Sequence, residues 1–249
     1  MNFYETFHYS LRTIIDNKKV GDHLQNIKES FSLKFFLFIG LALILTHVPF
    51  IGNYVRVVNT LVHESGHALI ALIGGDVHKI SLFMNTEGVT YTSHSSWFGG
   101  FFTGGAGYVA SSFMAFLAFW LISRKNYKVL IGILIGLILL NVIFWVRNFY
   151  GVFWLLTFGA GFLLLLYKGS TQLVQNSLLL IASILLVESV SSAFTIQLLS
   201  FIQPHSAGDA TGLAQSTVFI PAQVWGMILF AQSLLFLWFG FKKRIYRIN

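Results

Sequence analysis

His63-Glu64-Ser65-Gly66-His67 lies inside an apolar stretch from 55 to 74, long enough to cross a bilayer. Ionisable groups in such a stretch are costly unless they face a partner, a cavity or a bound ion. The chain must therefore fold so that other protein shields one face of this segment. On a helix the two histidines stand one turn apart on the same side, so their imidazoles converge on one point. That is the spacing of a metal site, with Glu64 placed to act on a water there. Two neutral imidazoles and a carboxylate suit zinc, and a catalytic zinc site keeps one position for water. On this reading His63 and His67 ligate one Zn2+ per chain and Glu64 is the general base. The competing reading, two packed core histidines with Glu64 paired to one of them, fits a soluble helix better than a segment in hydrocarbon.

The rest of the chain supplies the hydrocarbon setting. Of 249 residues, 55% are hydrophobic, 10% are charged and only three are proline, the balance of a polytopic membrane protein. Apolar segments fall near 33–51, 55–74, 97–122, 128–146, 149–167, 173–202 and 219–241. The expected fold is an all-α polytopic membrane protein with about six transmembrane helices. One of the seven segments is then re-entrant or incomplete, and a short β-hairpin follows the metal-binding helix. The expected organisation is a polar or amphipathic cytoplasmic segment at 1–32, an integral membrane domain at 33–241 and a basic tail at 242–249. No separate soluble domain and no cleavable leader are expected. Phe3, Phe7, Leu11 and Ile14 recur at helical spacing, which suits either a surface-lying amphipathic helix or a plain polar leader.

Charge placement sets a puzzle. Basic residues cluster at Arg12, Lys18, Lys19, Lys28 and Lys34, at Arg124, Lys125 and Lys128, and at Lys242, Lys243, Arg244 and Arg247. All three clusters favour the cytoplasmic side. Four crossings after residue 124 satisfy that preference, whereas three before it do not. The excess of sixteen Lys and Arg over nine Asp and Glu is explained by this topology and by anionic lipid, so no nucleic-acid partner is expected. With no cysteine, disulfides, thiolate ligands and cysteine nucleophiles are excluded, while the redox compartment stays open.

Between the second and third segments, Lys79–Phe83 and Val89–Thr92 have strand composition, with Asn85-Thr86-Glu87-Gly88 as the turn. Such a hairpin is either a plain connection or an exposed edge, at Asn85, Gly88 and Thr90, that accepts a substrate strand. The following segment opens on Gly99, Gly100, Gly104, Gly105 and Gly107, then Ala110, Ser111 and Ser112. Small residues at this spacing let helices pack closely in lipid, and packing against the metal-bearing helix is the expected use.

With these elements in place, the chain resembles the site-2-protease-type intramembrane zinc metallopeptidases, in a divergent bacterial branch without large soluble domains. The likeness rests on His63-Glu64-Ser65-Gly66-His67 within a span, Gly74-Gly75 and the hairpin, Gly105-Ala106-Gly107-Tyr108, and Arg147-Asn148 between two later segments. It implies zinc-dependent hydrolysis of membrane-embedded or membrane-anchored protein substrates, in a multi-pass protein of the cell membrane. It also implies an aspartate on a later span as third ligand, yet the usual Asn-Pro-Asp-Gly type motif is absent. Only Glu188 and Asp209 are acidic after the hairpin. Asp209 is the expected ligand if residues 204–218 dip against the protein, its alternative being a helix N-cap. Glu188 is the rival, as a ligand, an acceptor orienting a histidine, or a partner for Arg147. His205 is a weaker rival, as a solvated loop residue. Asn148, Asn141 and Arg147 are candidates to stabilise an oxyanion, or, for Arg147-Asn148, to mark a boundary between spans. A membrane metal-handling protein and a catalytically inactive relative are the alternative functions. The sequence sets no oligomeric state.

Overall fold

The computed structural model describes residues 32–248; the possible amphipathic helix near the N-terminus lies outside them. Among the described residues the apolar segments form helices α1 (Leu33–Thr46), α2 (Ile51–Gly74), α3 (Trp97–Ser123), α4 (Tyr127–Leu140), α5 (Phe149–Lys168), α6 (Thr171–Ile202), α7 (Gly208–Thr217) and α8 (Ala222–Lys242). Serine hydroxyls cap three of them: Ser32 accepts from the Phe35 amide, Ser96 from Gly99 and Ser170 from Leu173. Each answers an amide that the first turn leaves without a carbonyl partner. α4 continues as a π-helical turn, Asn141–Trp145.

Five helices are long and apolar enough to cross a membrane, or six if α1 and α2, bent by 110° at their junction, count as one broken span. The bend has local causes. Pro49 disfavours continued helix, Phe50 takes a left-handed φ of 62°, and Gly52 lies where a Cβ would strike the Thr46 carbonyl. Counting the pair as one span leaves two crossings before residue 124 and four after it. On that count the described basic residues Lys34, Arg124, Lys125, Lys128, Lys242 and Lys243 share one side, as the charge pattern prefers. The chain is a multi-pass integral membrane protein.

Strands β1 (Gly75–Leu82) and β2 (Gly88–His94) form an antiparallel hairpin, with Gly75 opposite His94 and Leu82 opposite Gly88. Its register shifts at Val77–Lys79. Both strands pack on α2. The turn reaches back along that helix, since the Thr60 hydroxyl donates to the Thr86 carbonyl at 2.8 Å. The link between α4 and α5 covers the other side of β1. Ile80 bridges Val146, and the Asn148 amide donates to Leu82 O and accepts from Leu82 N, at 2.6 and 3.0 Å.

Helix α3 packs against α2, α6, α7 and α8. Its approach to α2 is governed by small residues: a Cβ on Gly66 would stand 2.5 Å from Ala110 Cβ and 2.9 Å from Ala106 O. This is the close packing that the small-residue run predicted. The basic tail does not hang free. Ile245 and Ile248 are buried, Gly240 makes room for Ile245, and Ser32 donates to the Ile248 carbonyl at 2.6 Å.

Candidate metal centre

α2 presents His63 and His67 to α3 and α7, while the neighbouring Glu64 turns to the hairpin. The two Nε2 atoms lie 3.0 Å apart. Asp209, in the first turn of α7, places Oδ2 3.2 Å from His63 Nε2 and 3.3 Å from His67 Nε2. These three residues form a group able to hold a metal ion. Zinc bonds of about 2.0–2.1 Å in a tetrahedron set donor atoms roughly 3.3 Å apart, so the donor set fits in chemistry and in spacing.

Neighbouring backbone aims the donors. His67 Nδ1 is 2.6 Å from the Thr103 carbonyl. A carbonyl can only accept, so Nδ1 carries the proton and Nε2 offers its lone pair to the site. The His63 ring meets Tyr108 edge to face, with centroids 4.7 Å apart. Gly107 lies between these contacts. A Cβ there would stand 2.5 Å from His63 Nε2 and closer still to His67 Nε2. Its smallness thus makes room for the two imidazoles as well as for the helix packing, which spacing by itself could not show.

Asp209 reaches the site because the chain turns sharply after α6. Gly208 takes φ +49°, and Thr211 closes the loop by accepting from the Ala207 amide and donating to the Pro204 carbonyl, both at 2.8 Å. The α7 N-cap is Ala207, so Asp209 does not fill that role. α7 packs on α3, α6 and α8. His205 is exposed in the loop before it.

The other candidate residues lie in different surroundings. Glu188 is buried and pairs through Oε2 with Arg56 Nε at 2.8 Å, so its partner is Arg56 and not Arg147. Each is the only charge of its sign in its helix, a signal by which sequence could have matched them. Arg147 spends its guanidinium on the carbonyls of Val142, Ile143, Phe144 and Val146, capping the π-helical turn. Asn141 is buried in that turn and donates to Ser65 Oγ at 2.8 Å, tying α4 to α2 just beside the motif. Asn148 holds Leu82, as described. Asn85 Oδ1 accepts from the Glu87 amide and closes the hairpin turn. Gly88 and Thr90 are turned onto Glu64, where the Thr90 hydroxyl is 2.6 Å from Oε2.

A family model described as Peptidase M50B-like matches residues 36–240, from α1 to the end of α8. The chain belongs to the peptidase M50B-like family. No curated protein and no solved structure matches it. Membership in this M50B-like peptidase family agrees with the site-2-protease resemblance, and the matched range contains every element that builds the metal centre.

The site distinguishes the two late acids. Asp209→Ala is expected to lower the metal affinity of the purified M50B-like protein by about 100-fold or more, beyond the usual cost of losing an orienting neighbour. Glu188→Ala should leave metal content intact while lowering the melting temperature, because it strands Arg56. Metal analysis of the two purified variants checks both, and the opposite order would move the third ligand to Glu188.

Proposed function

We propose that this protein is an intramembrane zinc endopeptidase that hydrolyses peptide bonds of membrane-embedded or membrane-anchored protein substrates. The observation that carries the reading is the convergence of His63 Nε2, His67 Nε2 and Asp209 Oδ2 to within 3.3 Å of one another beside a buried glutamate. His63, His67 and Asp209 would hold the ion. Zinc bound there supplies Lewis acidity toward the peptide carbonyl and lowers the pKa of water. Glu64 receives the proton of the attacking water and returns it to the departing amine. Thr103 and Tyr108 hold the two imidazoles in orientation. The packing of α3 against both α2 and α7 encloses the donors between helices. A transport pathway would spread polar groups along the membrane depth, whereas here the metal-binding groups converge on one turn of α2 and the start of α7.

Comparison of membrane proteomes from cells carrying wild type and Glu64→Gln tests the reading. One or a few membrane proteins should accumulate uncut in the variant. Identical proteomes would leave a non-catalytic, metal-binding role as the better account.

A further inference from the structure

Glu64 is buried, at 5% exposure, and its side chain points at the hairpin. The Thr90 hydroxyl lies 2.6 Å from Glu64 Oε2 and 3.1 Å from the Glu64 carbonyl. Among the described residues nothing else donates to the carboxylate, so the Thr90 hydroxyl is the bond that holds it. Oε1 lies above Gly88, where a Cβ would stand 2.5 Å from it and 2.6 Å from Glu64 Cγ. The strand is thus shaped around the carboxylate twice, by a hydroxyl that holds it and by a missing side chain that admits it.

The strand that does this is itself held. β2 pairs along its length with β1, whose outer side is fixed by Ile80–Val146 and by the two hydrogen bonds of Asn148. At the turn, Thr60 of α2 holds the Thr86 carbonyl. A glutamate has three rotatable side-chain bonds, and a base must meet its proton within hydrogen-bond reach. A single bond from a rigid strand removes that freedom before substrate arrives, and second-layer support of this kind separates a working site from a loose one.

We propose that Thr90 is the positioning residue of Glu64, so that the hairpin aims the base rather than only connecting two helices. The proposal rests on Glu64 acting as the general base. Loss of the hydroxyl should leave the metal donors untouched and misplace the carboxylate, and a misplacement near 1 Å costs about 10²-fold in rate.

The test uses the full chain in cells, with the proteins that accumulate uncut in Glu64→Gln as the reporters. Thr90→Val keeps the side-chain shape and removes the hydroxyl; Thr90→Ser keeps the hydroxyl. Expected is accumulation of the same uncut proteins in Thr90→Val, cleavage about 10²-fold slower than wild type, near-normal cleavage in Thr90→Ser, and wild-type metal content in both. Adding Thr90→Val to Glu64→Gln should change nothing further, since both act through one carboxylate. If Thr90→Val cleaves like wild type while Glu64→Gln does not, the proposal falls and the base assignment stands. Equal loss of metal or of protein level in Thr90→Val and Thr90→Ser reduces Thr90 to a structural residue and also overturns it. Wild-type cleavage by Glu64→Gln removes the base assignment and this proposal together.

Discussion

Glu64→Gln is expected to slow cleavage by roughly 10²–10⁴-fold, the range a general base contributes, with metal content unchanged. The substitution suits the site. Glutamine keeps the volume of the buried side chain, and its carbonyl oxygen can still accept from Thr90, which donates to Oε2 at 2.6 Å. Geometry is retained while the group that takes the proton is lost. The group able to hold a metal ion is His63, His67 and Asp209, whose positions depend on Thr103, Tyr108 and α7 rather than on Glu64. Two measurements on one preparation are therefore decisive: metal stoichiometry, and the ratio of cut to uncut protein for whatever accumulates in the variant's membranes. A wild-type ratio would refute Glu64 as base, and loss of metal would give it a role in holding the site together.

Gly107→Ala is the second large effect, and it acts on the metal rather than on the proton. The added methyl would sit 2.5 Å from His63 Nε2 and nearer to His67 Nε2, in the space where the two donors converge. Carbon and nitrogen normally stay about 3.5 Å apart, so the imidazoles or the helix must move by about 1 Å. His67 resists, because its Nδ1 is held by the Thr103 carbonyl on the same helix as Gly107. Metal affinity is expected to fall by about 100-fold or more. Gly105→Ala, two residues earlier, is the control: nothing lies within 4 Å of its Cβ position, and it should bind metal like wild type. Equal binding by the two variants would show that the α3 backbone does not approach the donors as described.

Both effects depend on tertiary neighbours that primary spacing hides. The motif in α2 was legible because a helix puts residues four apart on one face, whatever surrounds it. The helices were legible because water is absent from the bilayer core and each apolar run must satisfy its own backbone. The hairpin was legible in composition and turn residues, though its strands extend to Gly75 and His94, further than the β-rich runs. The bend between α1 and α2 was legible only indirectly, in Pro49 and as a charge imbalance, since hydropathy reports where apolar residues lie and not the direction they run.

What the sequence by itself determined is therefore local: a membrane protein of about six crossings, a two-histidine face with a glutamate beside it, and a shortlist of two late acids. Only the tertiary structure decided which acid joins the histidines, because Glu188 and Asp209 differ in partners and not in type. Arg56 takes the first, and the turn at Gly208 delivers the second to the donors. It also decided that Gly107 borders His63 and His67 and that Thr90 faces Glu64. The physical reason is the same in each case. Periodicity fixes which side of an element a residue occupies, but the element packed against that side is chosen by the summed burial and polar pairing of the whole bundle.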